Sequence, residues 1–288
     1  MIVVLLLAAF VFWQSAIVDA QTARKPLFLK IAAERTDDGS KGLDFASVCD
    51  HANDAVARRV LREYGAFFVA VETVSVPPRC IFRDEAEVSE FHAGIELSTA
   101  NFGGTEITLQ TGAMAALLEA VQLAAAEKIK LTPLDGSIAG LRTYDDTVRL
   151  WNSRFYPALD HWQRRGRIAK EAADAARELT AFEQVPLALS WESKGMWFST
   201  GLNRSILTSV AAPGTSQHLS GLALDIVQYR DPRVRSILNG VGWYQTVVDD
   251  EPHFTFLGFP EAELSRRGLI SRVKSGYKFW VPGITASR

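Results

Sequence analysis

The hydrophobic positions of this chain follow a helical period over several segments. The clearest pattern lies between residues 108 and 128, where five apolar side chains share one face: Leu109, Ala113, Leu117, Val121 and Ala124. A second amphipathic helix is predicted over residues 44–64, and further helices over 84–92, 147–163 and 168–182. Asp145 or Asp146 is placed to cap the helix that begins at residue 147.

Other segments follow the period of a strand. Apolar and polar side chains alternate over Leu222–Ile226 and over His253–Phe256, so Phe254 and Phe256 are expected to face the core, with His253 and Thr255 on the opposite side. The β-branched segment from residue 66 to 76, ended by two prolines, and the short segment Gly140–Tyr144 are also predicted strands.

Together these elements predict an α+β fold: a small antiparallel sheet that carries the candidate site, helices that flank the sheet, and an N-terminal α/β elaboration. The length of 288 residues fits one large or two small domains. The predicted division is a signal peptide over residues 1–20, a loose leader and small subdomain over 21–104, and the main domain over 105–288.

The N-terminus carries the pattern of an export signal. Residues 2–13 form an apolar run that is short for a membrane span, and Val18 and Ala20 suit the small positions before a cleavage at Gln21. No Lys or Arg precedes the run, so an uncleaved N-terminal anchor is the alternative. We therefore expect an exported protein, periplasmic or associated with the cell wall, without a membrane span after the signal is removed.

The cysteine count and the net charge lead to two further expectations, about a disulfide and about binding partners. Cys49 and Cys80 are the only cysteines, and in an exported chain such a pair favours a disulfide over two buried thiols. The net charge of −2 gives no electrostatic basis for binding nucleic acid. A monomer is the expected state.

The most informative stretch is Ser216–Asp225, which reads S-x-H-x-x-G-x-A-x-D and is followed by Asp250-Glu-Pro-His253. Two imidazoles and one carboxylate form a three-ligand zinc site with a fourth position left for water, as in hydrolytic zinc enzymes. Gly221 permits a close approach or a left-handed turn between His218 and the strand that follows. An acidic side chain just before the last histidine is placed to accept a proton from that water.

These motifs resemble those of the LAS superfamily of zinc peptidases, whose folds include hedgehog-like domains. The segment Ala211–His218 and the element Leu141-Arg-Thr-Tyr144 are especially similar to the VanY-type D-alanyl-D-alanine carboxypeptidases. The resemblance covers residues 105–265 and leaves residues 21–100 without an assigned role.

The resemblance implies a role for each matching residue. His218, Asp225 and His253 would bind Zn²⁺, Arg142 would polarise the scissile carbonyl and stabilise the oxyanion, and Ser216 would hydrogen-bond the substrate. The family's acidic residue corresponds to Asp250, whereas simple strand alternation favours Glu251, so both remain candidates for the general base.

The implied function is an exported D-Ala-D-Ala carboxypeptidase acting on the stem peptides of peptidoglycan. The alternatives are a peptidoglycan endopeptidase of the same fold, a hydrolase of another exported amide, and a wall-binding module that holds zinc without turnover.

Overall fold

The computed structural model describes residues 26–37 and 45–284, so the predicted signal peptide lies outside the described residues. Within them the helices are α1 to α9: Leu27–Thr36, Ala55–Tyr64, Glu85–Ala93, Thr111–Ala126, Tyr144–Arg164, Lys170–Glu178, Ala181–Glu192, Pro232–Gly240 and Glu261–Leu264. The strands are β1 to β7: Leu97–Phe102, Thr105–Gln110, Ala223–Asp225, Trp243–Tyr244, His253–Phe256, Leu269–Lys274 and Tyr277–Pro282.

The strands form three small antiparallel sheets among the described residues. β1 pairs with β2 and β6 pairs with β7, both as hairpins, while the central sheet has the order β3-β5-β4. In the central sheet Asp225 lies opposite His253, and Ala223 lies opposite Thr255. The expected mixture of helices and a small antiparallel sheet is therefore confirmed, and the register brings two of the motif residues side by side.

One hydrophobic cluster joins the sheet to helices from both halves of the chain. It contains Phe28 of α1, Leu117 of α4, Leu224 of β3 and Phe254 of β5, all 0% exposed. Burying a side chain of this size contributes about 1.5–3 kcal/mol relative to leaving it in water. A second cluster, around Trp151 of α5, is built by α5, α6, α7 and the segment of residues 196–212 that follows them.

The predicted boundary between residues 104 and 105 falls where β1 turns into β2. Residues from both sides of it share the larger cluster, so the two segments pack on a common core. The division into two domains stays a prediction.

Several predicted helices are present, but they begin or end at residues other than those predicted. The helix predicted over 44–64 begins only at Ala55, because the Asp54 carboxylate accepts hydrogen bonds from two backbone N–H groups at that point. The helix predicted from residue 108 begins at Thr111, after β2. The helix of residues 144–164 is capped by Thr143, not by Asp145 or Asp146, and the predicted helix over 168–182 is replaced by α6 and α7.

Three local predictions are wrong. The run from residue 66 begins with a 3-10 helix, Gly65–Val69, which is buried in the core and pairs with none of the strands that the structure describes. Residues 140–144 make no strand; their backbone instead bonds to β2 and to the motif loop. The leader expected to be loose includes α1, whose Phe28 and Leu29 are buried.

Cys49 and Cys80 form a disulfide, as predicted. Across the described residues, no helix has both the length and the apolarity to cross a membrane.

Candidate metal centre

The first motif residues lie on a tight turn that ends at Gly221. Gln217–Ser220 form a 3-10 helix, and Gly221 follows with a φ of +68°, in the left-handed region. A Cβ at this position would lie 3.2 Å from the backbone nitrogen of Gln110. Both reasons expected for a glycine here are confirmed, and the turn directs His218 toward β3 and β5.

Three side chains that the sequence analysis singled out as ligands converge in the structure. His218 Nε2 lies 3.2 Å from Asp225 Oδ2, and His253 Nδ1 lies 3.1 Å from Asp225 Oδ1. His218 Nε2 and His253 Nδ1 are 3.1 Å apart. His218 is 1% exposed, Asp225 is 8% exposed and His253 is 4% exposed. One donor atom from each residue lies within 4.8 Å of the other two, a spacing that fits a metal ion.

The remaining nitrogen of each imidazole faces a hydrogen-bond acceptor. His218 Nδ1 lies 2.8 Å from the Gly140 carbonyl oxygen, and His253 Nε2 lies 2.8 Å from Gln217 Oε1. These acceptors favour the tautomers that carry the proton on the outward nitrogens. The lone pairs of His218 Nε2 and His253 Nδ1 then point, with the Asp225 carboxylate, into one small space.

Three electron-rich atoms that face each other repel unless a cation lies between them. Two imidazoles and a carboxylate, with outward nitrogens held by acceptors, are the donor set and outer contacts of a catalytic zinc site. The residues present therefore fit Zn²⁺.

Electrostatics favour the forms that bind metal. Burial, followed by the Arg142 charge, lowers the pKa of His218 to about 4, so this imidazole is neutral near pH 7. Burial raises the pKa of Asp225, but the charge and the hydrogen bonds that the two histidines supply when protonated outweigh it and lower that pKa well below its usual value. When the imidazoles are neutral, the Arg142 guanidinium at 2.7 Å is the cation beside the carboxylate. The site thus offers a neutral imidazole and an ionised carboxylate.

Arg142 lies beside this cluster. Its Nη2 donates to Asp225 Oδ2 at 2.7 Å, and its Nε donates to the Ile138 carbonyl at 2.7 Å. The backbone N–H of Arg142 also donates to the carbonyl of His218 at 3.3 Å. These bonds fix the guanidinium next to the site, where its charge faces the carboxylate.

The two acidic candidates occupy the turn before β5. Close packing raises the pKa of Asp250 to about 6, with smaller effects from His253 and Asp225, although the residue as a whole is exposed. Strand pairing begins only at His253, so the alternation that favoured Glu251 does not extend to residues 250–252. The structure thus removes the geometric argument for Glu251, and the choice of base stays a prediction.

Ser216 is buried immediately before the turn, and its hydroxyl makes no hydrogen bond to the described residues. Its predicted contact with the substrate stays a prediction.

One residue that sequence reasoning missed connects the site to its surroundings. Gln217 is 0% exposed, and its Nε2 donates to the Tyr64 carbonyl at 2.7 Å while its Oε1 faces His253. Thr255 donates to the same Oε1, which confirms its expected position on the site-facing side of β5. Gln217 stands at a position that the motif leaves unspecified, and nothing in the sequence pairs it with Tyr64.

Three solved structures are distantly similar to this chain. No known family matches the sequence, and no curated protein matches it. A vancomycin-resistance D,D-pentapeptidase, VanY, solved with Zn(II), is 17% identical with a TM-score of 0.32, over 57% of this chain and 79% of that one. VanYB with D-Alanine-D-Alanine is 19% identical with a TM-score of 0.35, over 60% and 84%.

The LD-carboxypeptidase LdcB is 16% identical with a TM-score of 0.32, over 56% of this chain and 64% of that one.

Proposed function

We propose that this chain is an exported zinc metallopeptidase of the LAS superfamily, similar to the VanY-type enzymes, that removes D-alanine from D-Ala-D-Ala peptides of peptidoglycan. The main support is the convergence of His218, Asp225 and His253, in which the outward nitrogen of each imidazole lies within hydrogen-bonding distance of an acceptor. The motif spacing and the position of Arg142 beside Asp225 support the same assignment.

Zinc, when held by His218, Asp225 and His253, would supply a Lewis acid that polarises the scissile carbonyl and acidifies water. Asp250 accepts the proton of the attacking water and returns it to the leaving amine, a role suited to a carboxyl with a pKa of about 6. The Arg142 guanidinium stabilises the negative charge that develops on the carbonyl oxygen. Ser216, whose hydroxyl is uncommitted, hydrogen-bonds the substrate.

The direct test quantifies zinc in the purified protein and incubates it with muropeptides that end in D-Ala-D-Ala, with and without chelator. Mass spectrometry should show the loss of one D-alanine, blocked by chelator and restored by zinc. An internal cut would assign an endopeptidase. Stoichiometric zinc without cleavage would favour a wall-binding module or another exported amide, and absence of zinc would overturn the proposal.

The base is tested by a matched pair of variants. Asp250→Asn should lower kcat by about 10²–10⁴-fold, because it removes the proton acceptor while zinc stays bound. Glu251→Gln should change kcat little, and metal analysis of both variants controls for loss of the site. The opposite ranking would assign the role to Glu251.

A further inference from the structure

A groove leads away from Asp250 along the surface. It consists of two adjoining cavities of about 240 and 320 Å³, which share six lining residues. Asp250 lines the first cavity, and Arg62 and Arg272 line the second. The groove therefore connects the proposed base with two guanidinium groups.

The shared walls offer few free polar groups. Val247, Val248 and Leu207 give them an apolar surface. The Tyr64 hydroxyl donates to the Leu207 carbonyl at 2.6 Å, and the Thr208 hydroxyl donates to the Ser205 carbonyl at 2.7 Å, so both donors are already used. Selectivity along the groove must therefore come from its charged end.

At that end the carboxylates already have cationic partners. Asp249 is 2.6 Å from Lys274 Nζ, and Glu63 is 3.0 Å from Arg59 Nε. Arg62 reaches Glu63 only at 3.5 Å.

Arg272 is exposed, and it forms no ion pair with any of the residues that the structure describes, which are 26–37 and 45–284. At this end four cationic side chains, Arg59, Arg62, Arg272 and Lys274, accompany two carboxylates, Glu63 and Asp249, although the whole chain carries a net charge of −2. A guanidinium without an anion is suited to bidentate binding of a carboxylate.

We propose that this groove is a subsite for the substrate's peptide chain, and that Arg272, assisted by Arg62, binds a free carboxylate a few residues from the scissile bond. The inference rests on the proposed function and specifies its substrate class as acidic D-alanyl peptides. Both arginines lie outside the motif segment, on β6 and α2, so the elements that flank the motif supply the selectivity.

The test compares two peptides that end in D-Ala-D-Ala, one with a free carboxyl on an internal D-glutamyl residue and one with that carboxyl amidated. The wild-type protein should have the lower KM for the acidic peptide. Arg272→Gln should raise that KM by about five- to tenfold and leave the amidated peptide unchanged, with kcat unaffected, because the contact is the same in ground and transition states. Arg62→Gln should have a smaller effect in the same direction.

Arg165→Gln is the matched control, since Arg165 is exposed and lies outside the groove. Salt should reduce the preference for the acidic peptide, as expected for exposed charges. Equal KM values for the two peptides, or an equal effect of Arg272→Gln on both, would overturn the proposal.

Failure of the proposed function gives a distinct result. If no D-alanyl peptide is cleaved, calorimetric titration of the Asp250→Asn protein with the same peptides still measures the groove. Tighter binding of the acidic peptide, lost in the protein that also carries Arg272→Gln, would sustain the subsite without the reaction. Equal binding of both peptides, or binding of neither, would reject it.

Discussion

At the scale of single residues, Gln217 has the most consequential environment. Its amide joins His253, Thr255 and the Tyr64 carbonyl, and it is fully buried. Gln217→Ala removes the acceptor that holds the outward nitrogen of His253. We expect about 10–100-fold weaker zinc binding, measured by competition with a chromogenic chelator, because outer contacts of this kind orient the ligand.

Gln228→Ala is the matched control, since within the described part of the chain the Gln228 side-chain amide hydrogen-bonds only to Thr132, away from the site. Long-range ¹H–¹⁵N spectra of the zinc-free protein should also show a mixture of His253 tautomers in the Gln217 variant. Unchanged affinity together with a single tautomer would show that Gln217 only fills space.

Gly214, two residues before Ser216, is held by an unusually close approach. Its φ is +76°, and a Cβ there would come within 1.8 Å of the Phe82 carbonyl oxygen. Gly276 has a similar φ of +82°, but no atom of the described residues would lie within 4 Å of a Cβ placed there.

Gly276→Ala should therefore cost about 1–2 kcal/mol of unfolding free energy from backbone strain alone. Gly214→Ala should cost more, because the loop at Phe82 must also move. Urea unfolding of the two variants measures the difference, and equal losses would contradict the packing argument.

At the scale of elements, two helices begin with the same capping box. Thr143 accepts a hydrogen bond from the Asp146 backbone at the start of α5, and Thr180 accepts one from Glu183 at the start of α7. Replacing either threonine with alanine should cost about 1 kcal/mol of unfolding free energy.

Only Thr143→Ala should also lower the proposed peptidase activity, because Thr143 follows Arg142 directly and fixes the backbone that holds its guanidinium. Thermal unfolding and kcat/KM of the two variants separate the effects. Equal activity would mean that Arg142 is held by its own bonds to Asp225 and Ile138.

Elements were predictable where one local pattern decides them. β5 matches the alternation of His253–Phe256, and α3 matches its predicted span within a residue. The segment after Gly65 was predicted wrongly because a short run buried on all sides has no period that separates a strand from a 3-10 helix.

In the candidate site, too, the features that depend on neighbouring residues could be predicted. The turn at Gly221 follows from the motif, and the position of Thr255 on the site-facing side of β5 follows from the strand alternation. The contacts of Gln217 with Tyr64, and of Arg142 with Asp225, join positions 153 and 83 residues apart, which no local pattern encodes.

At the scale of the whole molecule, the Cys49–Cys80 disulfide closes a segment with a sequence separation of 31 residues. The double variant Cys49→Ala, Cys80→Ala should lose about 3–4 kcal/mol of unfolding free energy on the loop-entropy model. Urea unfolding measures this loss, and reductant should destabilise the wild-type protein but not the variant. A variant as stable as the wild type would mean that the surrounding core already orders this segment.

The Tyr64 carbonyl, which accepts from Gln217, makes the motif part of the chain a poor unit for transplantation. A fragment or chimaera lacking α2 would carry every motif residue but lose the Tyr64 carbonyl, leaving the Gln217 amide with its longer contact to Thr246 Oγ1 at 3.2 Å. Engineering that removes the N-terminal elements would therefore alter the contacts that support His253 in the candidate metal centre.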